Sequence, residues 1–170
     1  LSQKEVIASG MTTEVDRVQR ALSLAKAGKI VALISSGDAG IYGMAGLVGE
    51  MLGRQTGDTP DIEVIPGVPA LAATAARLGA PLTGDFAAIS LSNYLVSWVE
   101  IYKRLKMASQ GDFVIVLYNP KSSKRHQELA KAREIILQYR SPSTPVGIVT
   151  NAYRQNQQVT VTDLEHLLEH

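Results

Sequence analysis

The sequence of 170 residues contains no cysteine, which removes disulfides, zinc–thiolate sites, iron–sulfur clusters and thiol nucleophiles together. Neither sign of charge is in excess: 17 Lys and Arg face 16 Asp and Glu, for a formal net charge of +1. That balance supplies no general field for nucleic acid or for an acidic membrane surface, while leaving room for a local basic patch. Long apolar runs are missing too. Stretches such as Ile30 to Ile34 fall far short of the roughly 18 residues that span a bilayer. Leu1-Ser2-Gln3-Lys4-Glu5 is not the basic start and apolar run of a signal peptide. No His, Asp and Glu spacing matches a metal site, and the Gly-x-Ser-x-Gly element of a serine hydrolase is absent. These absences lead to the expectation of a soluble cytoplasmic protein with no metal, nucleic acid or membrane partner. The chain opens on Leu1 and closes on Leu168-Glu169-His170, ends expected of a piece of a longer protein.

What is present is the material of a packed α/β core. Hydrophobic residues make up 45% and charged residues 19% of the chain, a composition that excludes low-complexity disorder. The apolar period switches repeatedly between helical and strand-like. Thr12 or Thr13 can cap a helix, with Thr13-Glu14-Val15-Asp16 approximating a capping box. Val15, Val18, Leu22 and Ala25 then share one face, and Gly28 is a natural stop. The run 29–35 is apolar without a break from Ile30 to Ile34, as in a strand buried on both faces of a parallel sheet. Further on, helical patterns cover 41–52, 70–78, 97–108 and 126–139. Strand patterns cover 61–65, 86–91, 113–118 and 146–150, with 158–162 as a hairpin partner to the last. Strands alternating with helices predict an α/β fold with mostly parallel pairing. The Gly79–Gly84 stretch is the best linker, which places two lobes at 1–80 and 81–170.

In open α/β sheets ligands sit beyond the carboxyl ends of strands, so five strand-exit loops are the places to search: 35–42, 66–70, 90–94, 118–125 and 150–154. In the first, Gly37 and Gly40 allow close backbone approach. Asp38 can accept ribose hydroxyls or cap the following helix. In the second, a Pro-Gly turn opens an alanine-rich helix whose first amides favour an electronegative group, though Pro69 can equally be an ordinary first-turn proline. The fourth puts Lys121, Lys124 and Arg125 at the top of the most strand-like run, either as a cleft edge for a polycarboxylate or as a solvated loop.

Read in order, the loops say more. Ser-Ser-Gly-Asp-Ala-Gly-Ile-Tyr-Gly-Met-Ala-Gly from Ser35, Val-Ile-Pro-Gly-Val from Val64, and Asp-Phe-Ala-Ala-Ile-Ser-Leu-Ser from Asp85 are followed by Val-Leu-Tyr-Asn-Pro-Lys-Ser from Val116 and Pro-Val-Gly-Ile-Val-Thr-Asn-Ala from Pro145. Together they closely resemble the tetrapyrrole methylases, over essentially the whole chain. The Tyr-Asn-Pro-Lys-Ser element and the Ser-Gly-Met beginning at Ser9 select a member that methylates a corrin precursor. The resemblance implies the tetrapyrrole methylase fold: two α/β lobes, with S-adenosylmethionine (SAM) as methyl donor in the cleft between them. It also implies a small-molecule tetrapyrrole substrate and a homodimer. Carried over position by position, Ser36, Gly37 and Asp38 would hold the ribose and methionine part of SAM. Pro69 and Ala70 would continue that site, and Asn119 and Ala152 would line the adenine pocket. Ser92, Lys121 and Arg125 would meet the acetate and propionate arms of the substrate. The ring contraction that accompanies one of the family's methylations needs a proton donor or acceptor, for which Asp38, Tyr42 and Lys121 are the catalytic candidates.

Several positions depart from the family pattern. Ala39 stands where many members have Pro, Pro69 where Thr is usual, and Asn93 where Asp is frequent. The opening strand with its Gly-x-Gly-Pro-Gly turn and the closing strand are not in this chain. Two other readings compete: a sibling methylase acting on another corrin carbon or a non-corrin acceptor, and a non-catalytic α/β domain that binds SAM or a tetrapyrrole.

Overall fold

The computed structural model describes residues 4–10, 13–54, 56–94, 96–121 and 127–170. The chain divides into two compact units, Leu1–Pro69 and Ala70–His170.

The first unit carries helices α1 (Glu14–Lys26) and α2 (Ala45–Gly53). In α1 the expected stripe is realised in part: Val18 and Leu22 are buried and Ala25 is half-buried, whereas Val15 is exposed. The helix ends as predicted, with Lys29 N–H donating to Leu24 O (3.1 Å) and Gly28 at a positive φ of 81°, the arrangement of a Schellman stop. The capping box does not form. Thr13 makes no side-chain cap; its hydroxyl donates backwards to Gly10 O at 2.8 Å. The alternative cap, Thr12, lies outside the described residues. Helix α2 begins four residues later than its apolar pattern suggests, because residues 38–44 are wound into a turn around Asp38. Among the described residues this unit has no strand. That corrects the expectation for 29–35 and 61–65. A continuous apolar run forms a strand only where a neighbour completes a ladder. Here the runs leave Ile30 fully exposed, and Ile34 and Ile65 about three-quarters so.

The second unit runs α3 (Ala70–Arg77), β1 (Phe86–Ser90), α4 (Trp98–Gln110), β2 (Val114–Tyr118), α5 (Glu128–Leu137), β3 (Pro145–Thr150) and β4 (Gln158–Asp163). A 3₁₀ turn at Leu167–Glu169 closes it. Strands β1 and β2 are parallel with Phe86 opposite Val114 and Ser90 opposite Tyr118; β3 and β4 form the expected antiparallel hairpin, Pro145 opposite Asp163. Helix α4 starts where Ser97 accepts the Glu100 N–H at 3.4 Å. Its Ile101, Leu105 and Ala108 and the Leu129, Ala132 and Ile136 of α5 recur at helical spacing. They bury together with Ile89, Leu91, Leu164 and Leu167 as the core of the unit. Parallel pairing thus holds for β1 and β2, and each of these strands delivers its carboxyl end to a candidate loop.

The units part at Pro69 and Ala70, not at the glycine-rich 79–84 stretch, and α3 is the reason. The Leu71 N–H donates to the Tyr118 hydroxyl at 2.9 Å. At the other end of the helix the Leu78 side chain occupies the space over Gly147 on β3, where a Cβ would lie 2.8 Å from Leu78 Cδ2. Both contacts tie the helix to the later strands of the same unit.

Beyond β4 the chain is pinned by α5: Arg133 donates to Leu164 O (2.7 Å) and Glu165 O (2.6 Å). Next to this anchor His166 Nδ1 lies 2.7 Å from Asp163 Oδ1. The Asp163 carboxyl is held below its ordinary range, first by the His166 backbone N–H and then by the ring. The His166 imidazole is raised by its hydrogen bond to Asp163. A raised imidazole stabilises below its unfolded value of about 6.5, and that contribution is lost as pH rises through the folded value. A lowered carboxyl stabilises above about 3.9, and its contribution is lost as pH falls through the folded value. The pair is therefore fully formed between about pH 4 and pH 6.5. We expect Asp163→Asn to bring the His166 titration midpoint, followed by imidazole NMR shifts, down toward its ordinary value; an unchanged midpoint would contradict the pairing.

Candidate functional site

Two constellations hold the predicted residues, one in each unit. In the first unit, Ser35 and Ser36 stand at the end of the apolar run as exposed short side chains, and Gly37 turns the chain at φ 79°. Asp38 is half-buried and organises the turn it opens. Its Oδ1 accepts from Gly40 N–H (2.7 Å) and Ile41 N–H (3.0 Å). Its Oδ2 accepts from Gly67 N–H at 2.8 Å. These amides hold the Asp38 carboxyl below its ordinary value, the Gly67 bond first among them and Gly40 next, because each favours the charged form. The turn closes with Ala45 N–H on Ala39 O at 2.9 Å. Tyr42, half-exposed, takes a left-handed φ of 52°, which is uncommon for an aromatic residue. Glycine at 67 is required by proximity, since a Cβ there would overlap Gly37 O and lie 3.2 Å from its carbonyl carbon. The two candidate loops 35–42 and 66–69 thus touch backbone to backbone. Pro69, half-buried, ends the second of them.

In the second unit Ala70 is the exposed first residue of α3. Of the helix's opening amides, that of Leu71 meets its electronegative group within the protein, the Tyr118 hydroxyl. Asn119 comes directly after Tyr118 at φ 54° and donates from Nδ2 to Ser90 Oγ at 2.9 Å. The same hydroxyl accepts the Ser92 N–H at 3.2 Å. Ser90, Ser92, Tyr118 and Asn119 therefore form one polar rim at the carboxyl ends of β1 and β2. Lys121 is exposed and donates to His170 O at 2.6 Å. Ala152 is half-buried in the turn after β3, next to Asn151 at φ 53°. Arg125 lies outside the described residues.

Two contributors escape sequence reading. Tyr118 reaches α3 through its hydroxyl, whereas the motif around it draws attention to its cations. Arg17 on α1 gathers the 9–10 segment: its guanidinium pairs with Ser9 Oγ and donates to Gly10 O at 2.7 Å. No spacing rule announces either contact; a lone Arg in the first turns of an amphipathic helix reads as solvated.

A parallel strand pair whose carboxyl ends carry small and polar residues is the α/β class in which ligands sit beyond the strand ends. The chain belongs to the Tetrapyrrole (Corrin/Porphyrin) Methylases, matching that family over residues 3–168. It is 49% identical, over 95% of its length and 66% of the relative's, to the probable cobalt-factor III C(17)-methyltransferase of Salmonella typhimurium. To the precorrin-3B C(17)-methyltransferase of Sinorhizobium sp it is 41% identical, over 93% of this chain and 63% of that one. The crystal structure of the methyltransferase CobJ superposes with a TM-score of 0.85 at 33% identity, covering 94% of this chain and 71% of that chain. The chain spans between about a third and two-thirds of the length of the curated relatives it matches first, 32% of one and 66% of the next.

Proposed function

We propose that the protein containing this chain transfers a methyl group from SAM to carbon 17 of a corrin precursor, with contraction of the macrocycle. The observation that carries this reading is identity of nearly one half, over almost the whole chain, to a relative named for that reaction. The cobalt-bearing acceptor is favoured over the metal-free one, because the relative named for cobalt-factor III is the more similar of the two compared.

The residues fit a SAM site. Around Ser36 and Gly37 the loop offers backbone groups and exposed short hydroxyl side chains, which suits a ligand rich in hydroxyl, amino and carboxylate groups. When bound, SAM supplies an electrophilic methyl group that needs no nucleophile from the protein. Ser36, Gly37 and Asp38 form the ribose and methionine side of the site in this reading, Pro69 and Ala70 extend it, and Asn119 and Ala152 serve the adenine. Placement of donor and acceptor carbons is then the main work of the protein. Ser92, Lys121 and Arg125 receive the carboxylate arms of the macrocycle. Of the three candidates for moving a proton, Asp38 is the poorest fit, since three amides keep it ionised and occupied; Tyr42 and Lys121 remain. Among the described residues no helix is long and apolar enough to cross a membrane. The near-zero net charge supplies no general field for nucleic acid or a membrane surface, and likeness to the family supports the further reading of a cytoplasmic homodimer acting on a small tetrapyrrole, without nucleic acid or membrane as partner.

The test is incubation of the full-length protein with ¹³C-methyl SAM and either the cobalt-bearing or the metal-free acceptor. We expect one labelled methyl, assigned by NMR to carbon 17 of a ring-contracted product, formed faster from the cobalt-bearing acceptor. Label on a different carbon would identify a sibling methylase, and binding without label a non-catalytic domain.

A further inference from the structure

We propose that Asp38 is a positioning residue for the methyl donor, acting through the backbone of the two loops it ties together and not by contact with SAM. The inference rests on the reading that the 35–42 loop holds SAM, and it assigns Asp38 a different task within that loop.

The carboxylate has about four lone-pair directions, and backbone amides use three of them. Two of these, Gly40 and Ile41, belong to its own turn. The third, Gly67, is 29 residues away in sequence. This last bond links the Pro66-Gly67 turn to the 37–41 turn through a side chain. The link coincides with the backbone approach of Gly67 to the Gly37 carbonyl, so the charge and the missing Cβ act on the same junction. Gly43 completes the enclosure: a Cβ there would overlap Asp38 O and lie 2.5 Å from Ala39 O. An acidic side chain wrapped in its own loop's amides sets where the neighbouring peptide groups of Ser36 and Gly37 point. Those peptide groups are what a ligand reaching this loop would meet. The chemistry explains why Asp is used in place of Asn. An Asn oxygen can still accept from Gly40 and Ile41, but its NH₂ would face the Gly67 N–H donor to donor.

The experiment compares wild-type full-length protein with Asp38→Asn, titrating SAM and its 2′-deoxy and 3′-deoxy analogues by calorimetry and recording ¹H–¹⁵N spectra without ligand. If Asp38 positions, Asp38→Asn weakens SAM and both analogues by the same factor, tenfold or more. The Gly67 amide resonance then moves in the unliganded variant, while most other amides stay in place. If Asp38 instead touches the ribose, the loss seen with SAM disappears for the analogue lacking the contacted hydroxyl, and the proposal is overturned. Unchanged SAM affinity in Asp38→Asn also overturns it, with the SAM reading intact. A wild-type protein that binds no SAM sinks the reading itself along with the proposal. Should Asp38→Asn not fold, Asp38→Ser serves, since a hydroxyl can accept from the Gly40 amide without reaching Gly67; the same equal loss across the three ligands is then required of it.

Discussion

Gly67→Ala is expected to abolish measurable SAM binding and to lower the melting temperature of the first unit, although it adds a single methyl group. The added Cβ would overlap Gly37 O and stand 3.2 Å from the Gly37 carbonyl carbon. Both obstacles are backbone, so no rotamer change relieves them. The loops must separate, and separation lengthens the 2.8 Å bond from Gly67 N–H to Asp38 Oδ2. Overpacking of this kind costs about 1–3 kcal/mol, and an ionised acceptor losing a charge-assisted hydrogen bond adds to it. The check is calorimetry for SAM together with thermal unfolding followed by circular dichroism. Wild-type affinity in this variant would mean that the two loops do not need to touch for the site to work.

The same substitution elsewhere gives the opposite sign. Gly49 lies inside α2, and a methyl group added there would meet nothing within 4 Å. Gly49→Ala should therefore stabilise by about 0.5–1 kcal/mol through helix propensity. A pair of Gly→Ala changes moving in opposite directions separates close approach from conformational freedom.

The contrast also shows what a sequence can and cannot disclose. Helices α1 and α4 are legible because apolar residues recur every three or four positions and because Gly28 and Ser97 mark an end and a start. The β3–β4 hairpin and the parallel pair β1–β2 are legible from apolar runs bounded by turn residues. The runs 29–35 and 61–65 carry the same signal and form no strand among the described residues, since apolarity reports what a segment would bury and not whether a ladder partner is at hand. The unit boundary escapes for a related reason. Glycine and proline at 79–84 advertise a turn, but membership of a unit is decided by contacts such as Leu71 with Tyr118, which join residues 47 positions apart. Asp38 stands out in the sequence as a residue, while its role stays open there. A carboxylate shortly before a helix pattern fits both ligand and cap, and only the bond to Gly67, made across 29 residues, distinguishes a local cap from a link between loops.

The second large effect concerns the support beneath the rim of the second unit. Leu105→Ala should lower the stability of that unit by about 2–5 kcal/mol, a large part of the roughly 5–15 kcal/mol typical of a whole domain. Leu105 is completely buried, and the core it belongs to is drawn from β1, α4, α5 and the segment after β4. Walls from four separate elements cannot all close on the cavity at once, which favours the upper half of that range. Helix α4 packs on β1 and β2, whose last pair is Ser90 with Tyr118, so weakening the core should loosen the polar rim before it unfolds the sheet. The Asp38–Gly67 junction belongs to the other unit, and its Gly67 amide resonance should stay in place while the variant remains folded. Met107, two residues along the same helix and 61% exposed, provides the comparison: Met107→Ala should change stability by no more than about 0.5 kcal/mol. Urea unfolding of the two variants, with the midpoint read at constant slope, decides the matter; equal midpoints would mean that the α4 stripe does not hold this unit together.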